Sequence, residues 1–119
     1  MDIEQLLEEN ETSRELYDAV LAKIDSLGPS SIRITKSQVA FRRKRPFAWV
    51  WIPAQYLARS GLAPLVLTLV FPFRDKSPRW KEIVEPASGK FTHHLELRDL
   101  KEVDGEVEAW LRQAWDAAG

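Results

Sequence analysis

Apolar positions change period twice along the chain. Leu16, Tyr17, Val20, Leu21, Ile24 and Leu27 recur at steps of three and four, which aligns them on one helical stripe. Gly28-Pro29 stops that run. Before it, Thr12-Ser13-Arg14-Glu15 has the form of a capping box, in which a Thr hydroxyl accepts from an amide one turn on and the Glu reaches back. The pattern predicts a helix over 13–27 with a short leading helix at 3–9. Asn10-Glu11-Thr12 also spells a glycosylation sequon, but the cap is the role expected of Thr12. Near the other end Val107, Trp110, Leu111, Ala114 and Trp115 form a second stripe, with Asp104 placed to cap it.

Between these stretches the period becomes two. Ser31 to Thr35 and Gln38 to Arg43 read as a hairpin around Lys36-Ser37, with Val39 and Phe41 on one face. In Phe47 to Ile52, alternation puts Phe47, Trp49 and Trp51 on one side and Ala48, Val50 and Ile52 on the other, so both faces are expected to be covered. Leu65 to Phe71 is apolar throughout, as a central strand is. Lys81 to Val84 is a short strand signal. In Phe91 to Leu97, Phe91, His93, Leu95 and Leu97 point inward, while Thr92, His94, Glu96 and Arg98 point outward. The predicted architecture is α+β in two layers: an N-terminal helix, a mainly antiparallel sheet of about five strands, and a C-terminal helix.

Length and composition agree with one domain over 1–119. With 119 residues, 45% hydrophobic, and five Trp and five Phe, the chain can build one core without staples. The absence of Cys removes disulfides, thiolate nucleophiles and Cys-based zinc sites together. Met1 leads into Asp2-Ile3-Glu4 without a basic segment, so no secretory leader is expected and the default location is cytoplasmic. The most apolar stretch, 62–73, is too short to span a bilayer and carries Pro64 and Pro72, so no membrane partner is expected.

A net charge of −1 conceals a division. Residues 1–28 carry −6, residues 29–94 carry +9 and residues 95–119 carry −4. A basic middle therefore lies between acidic ends, which either exposes it to an anionic partner or pairs it internally with the helices.

Several segments together are similar to a known family. Ile34-Thr35-Lys36-Ser37-Gln38-Val39-Ala40-Phe41-Arg42-Arg43, Phe47-Ala48, Val84-Glu85-Pro86, Phe91-Thr92-His93-His94 and Trp110-Leu111-Arg112-Gln113-Ala114 resemble the uncharacterised bacterial family called domain of unknown function 5655. The resemblance spans nearly the whole chain and implies a small α+β unit, alone or attached to other domains, with no established activity. Where that family usually shows Leu-Asp before the last helix, this chain has Val103-Asp104, which leaves the cap intact.

Standard catalytic patterns are missing. The five glycines fit neither G-x-G-x-x-G nor a P-loop, so nucleotide-triphosphate hydrolysis is not expected. No Ser lies in G-x-S-x-G, and no Glu-x-Lys triplet supports a metal nuclease. Adjacent strand residues face opposite sides, so His93 and His94 do not make a chelating pair; neither a metal nor a cofactor is expected. His93 reads as a buried neutral imidazole, whereas His94 is free to meet an anion or carry protons, although plain surface exposure explains it as well.

The other chemical candidates are cations. Arg42-Arg43-Lys44-Arg45, with Arg33 and Lys36 nearby, suits phosphate oxygens, and Trp49, Trp51 and Trp80 offer stacking surfaces. The alternative is a solvated turn that guards a sheet edge. Arg74, in a polar loop running to Trp80, is the remaining candidate. The leading expectation is a non-catalytic binding module for an anionic ligand, nucleic acid included, using Lys36, Arg42, Arg43, Arg74 and His94. The competing expectations are an enzyme using His94 with Lys36 and Arg74, and a protein–protein module that forms a homodimer or joins an attached partner.

Overall fold

A single extended residue, Asn10, joins the first two helices in the computed structural model, which describes residues 2–119. The first helix, α1 (Ile3–Glu9), starts with a reciprocal cap between Asp2 and Gln5. The second, α2 (Glu11–Leu27), starts two residues earlier than the Thr12 box predicts, because Asn10 already accepts from the Ser13 amide at 3.0 Å. Ser13 is buried, and its hydroxyl donates to the Pro64 carbonyl at 2.7 Å. The cap fell on Asn10 because the same residue also closes α1, which leaves no loop for Thr12 to occupy.

Six strands follow, β1 (Ser31–Ile34), β2 (Val39–Arg42), β3 (Pro46–Trp51), β4 (Leu65–Phe71), β5 (Glu82–Ala87) and β6 (Lys90–Leu97), and the chain ends in α3 (Gly105–Ala117). Their spatial order is β1-β2-β3-β4-β6-β5, and every pairing is antiparallel. The strand count is thus six rather than about five. The segment from Glu82 continues through Pro86, which an edge strand with an irregular register accommodates because a missing N–H there breaks no inner ladder.

The helices cover one face only. Val39, Phe41, Val50, Leu67, Leu69, Leu95 and Leu97 from the sheet pack with Leu16, Val20 and Ile24 of α2 and Val107, Trp110 and Leu111 of α3. The expectation that both faces of β3 are covered therefore fails: Trp49 and Trp51 stay half-buried on the face without helices. Phe47 also leaves their company. The register steps from Phe41 opposite Ala48 to Arg42 opposite Pro46, so Phe47 is an extra residue, and its fully buried ring joins the core.

Trp115 ties the C-terminal end of α2 to that of α3. Its ring lies against Gly28, where φ is +143° and an added Cβ would meet the ring at 2.7 Å, so both the backbone and the space require glycine. On the Trp115 ring sits the Arg43 guanidinium, 3.5 Å from the centroid.

Candidate functional site

The strand registers align one row of side chains across the whole uncovered face. Arg33 lies opposite Ala40, Ala40 opposite Trp49, Trp49 opposite Thr68, Thr68 opposite His94, and His94 opposite Glu82. A cation thus stands at one edge and a carboxylate at the other, with an indole and an imidazole between them. Ala40 is the small member of the row, and a cleft of about 400 Å³ lies over it, lined by Arg33, Arg42 and Trp49 together with Ser31, Thr35 and Gln38. Among the described residues neither Arg33 nor Arg42 makes an ion pair. Arg42 is held partly by donating to the Lys44 carbonyl at 3.1 Å.

Farther along the row a polar relay is fixed. The Trp51 indole donates to the Thr68 hydroxyl oxygen at 3.0 Å, and that oxygen lies 2.8 Å from His94 Nδ1. The ring edge of Trp51 also meets His94, with centroids 6.2 Å apart. Burial holds the His94 pKa below the ordinary imidazole value, partly offset by the charge of Glu82. His94 is therefore neutral near pH 7, and with Thr68 donating to Nδ1 we assign its proton to Nε2.

A family model described as a domain of unknown function, DUF5655, matches residues 3–118. The chain belongs to that family. Comparison with curated proteins and with solved structures finds no match.

Within this DUF5655 fold the other expected site residues scatter. Lys36 sits in the β1–β2 turn, where its carbonyl accepts from the Ile3 amide and from Gln55 Nε2, both at 2.9 Å. Arg74 follows the opposite end of the sheet, beyond Phe71 of β4. Lys36, Arg74 and His94 therefore do not enclose one cavity. Arg43 is occupied by α3: besides stacking on Trp115, it donates to the Trp115 carbonyl at 2.9 Å. Of the expected set, Arg42 alone lines the cleft, and the register brings Arg33 and Trp49 to it. Alternation within β1 could have picked out Arg33 from the sequence, but only the strand pairing sets it beside Trp49.

His93 is locked on the covered face, as a buried neutral ring. Its Nε2 accepts from the Asp75 amide at 3.0 Å and its Nδ1–H donates to the Phe91 carbonyl at 3.0 Å, while burial lowers its pKa. The loop after β4 is a clasp. The Trp80 indole donates to Asp75 at 2.8 Å, and its buried ring packs on Phe71, His93 and Trp110, so it offers no stacking surface. Arg79 closes the clasp on Asp104 and Glu106, at 3.1 and 2.9 Å.

Proposed function

We propose that this DUF5655 domain is a non-catalytic binding module for an anionic ligand, namely a short single-stranded stretch of nucleic acid laid across the uncovered sheet face. The observation that carries this reading is that Trp49 shares one cleft with two guanidiniums, Arg33 and Arg42, from the neighbouring strands β1 and β2. A base stacks on an indole face whatever its identity, and guanidiniums hold the flanking phosphates in bidentate fashion. The half-buried Trp49 side chain is already oriented by the strand, so little rotamer freedom remains to be lost on binding. A cytoplasmic setting, where single strands occur, goes with this reading.

Anisotropy of a labelled oligothymidine or oligouridine tests it. With two phosphate contacts, log Kd against log salt should have a slope near about 1.4. Trp49→Ala should weaken binding roughly 5- to 150-fold, and Arg33→Glu with Arg42→Glu should weaken it for every base sequence alike. Binding that is absent at low salt, insensitive to salt, or unchanged by Trp49→Ala would overturn the assignment.

A further inference from the structure

A second cleft lies on the opposite side of the basic turn, where α3 runs out over the end of the sheet. The α3 stripe begins with the bulky Val107, Trp110 and Leu111 and finishes with Ala114, Ala117 and Ala118. Alanines do not reach the sheet, and a cleft of about 350 Å³ remains there, with Pro46, Val70, Pro72 and Ala117 as its accessible apolar walls over the buried Phe47 and Phe71. That volume falls at the small end of the range for small-molecule sites. Arg45, from the turn between β2 and β3, and Lys90, the first residue of β6, stand on its lining.

Two cations, Arg45 and Lys90, stand at this mouth, with the Glu85 carboxylate nearby where it accepts from the Gly89 amide at 3.0 Å. A helix C-terminus ordinarily presents bare carbonyls that repel anions. Here the last carbonyls of α3 are taken: Trp115 by Arg43, Ala117 by Arg45, and Ala118 by the amides of Lys44 and Arg45. The bond from Arg45 Nη2 to the Ala117 carbonyl, at 2.9 Å, also fixes the guanidinium at the cleft with its other N–H groups available. Among the described residues Arg45 and Lys90 make no ion pair.

We propose that this cleft binds a small hydrophobic carboxylate, its apolar body against Pro46, Val70, Pro72 and Ala117 and its carboxylate on Arg45 and Lys90. Apolar walls without a polar group at depth select the body, and a fixed guanidinium beside a lysine selects the charge. The site shares only Pro46 with the lining of the Trp49 cleft and does not depend on the binding proposed there.

The test is a titration of the isotopically labelled full chain with 2-naphthoate, followed by backbone amide shifts, with 2-naphthylmethanol as the uncharged counterpart. The amides of Gly89, Lys90, Ala117 and Ala118 should move, and the alcohol should bind roughly tenfold more weakly because it lacks the charge-assisted bonds. Ala117 is exposed, so Ala117→Phe should leave the fold intact and remove binding by filling the cleft. Lys90→Glu, at the exposed start of β6, should weaken it in a chain of unchanged stability. Equal affinity for the alcohol, shifts confined to the Trp49 face, unchanged binding in Ala117→Phe, or no shifts up to the solubility limit would each overturn the proposal. Oligonucleotide binding measured on the same sample reports separately on the other face.

Discussion

At the residue scale, the backbone amide that donates to His93 Nε2 decides where that ring keeps its proton. An acceptor nitrogen cannot be protonated while the bond persists, so the proton sits on Nδ1, where the Phe91 carbonyl receives it. His94, one residue on, has the reverse arrangement, with Nδ1 toward Thr68 and the proton on Nε2. Long-range nitrogen–proton correlation spectra should therefore show two neutral rings of opposite tautomer near pH 7. A His93 signal typical of the Nε2–H form, or of imidazolium, would refute the assignment. Alternation of apolar residues was enough to sort these two rings onto opposite faces. Their partners were not legible, because Asp75 and Thr68 reach them only through the β4–β5 loop and the β4–β6 register.

At the scale of elements, periodicity located the three α-helices and a segment of each strand, though not the short turns of helix at Pro53–Gln55 and Leu100–Glu102, and its errors share a cause. Asn10 outcompeted Thr12 as a cap because α1 and α2 abut, and Phe47 changed sides because of one irregular step opposite β2. Both depend on a neighbouring element that a single segment's pattern does not contain. The basic turn was read as anion-binding or solvated, and part of it serves instead as the C-terminal cap of α3. Arg43 both stacks on Trp115 and donates to its carbonyl. Arg43→Ala should accordingly cost about 1–3 kcal/mol in chemical denaturation, by loss of a cation–π contact and of a charge-assisted bond. Arg43→Lys, which keeps the charge but not the planar fork, should fall between the two. An Arg43→Ala midpoint equal to that of the parent would show that the cap contributes nothing.

At the scale of the whole molecule, few direct ion pairs join the basic middle of the chain to its acidic ends. From the basic middle, Arg79 alone pairs with the acidic C-terminal segment among the described residues; the other ion pairs lie elsewhere, as between Lys23 and Glu108. The charge split was legible from composition; the row from Arg33 to Glu82 was not, since it needs five strand registers at once. The global consequence open to measurement is the pH dependence of stability. Burial lowers the pKa of both histidines, so the unfolded chain binds their protons more readily than the folded one. Stability should hold level between about pH 7 and 8 and fall as pH drops below about 6.5, the unperturbed imidazole value, through the lower folded values. A second decline should follow in the carboxylate range. Burial pushes the Asp104 pKa up, but the Val107 amide and Arg79 outweigh it and hold the group below its ordinary value, so its contribution is lost on protonation at low pH. Denaturant midpoints across this range should show both steps. His94→Gln should shrink the first without abolishing it, because His93 remains, and Asp104→Asn should shrink the second alone. A midpoint that stays constant from about pH 8 to about pH 5 would mean that neither ring is held neutral by the fold.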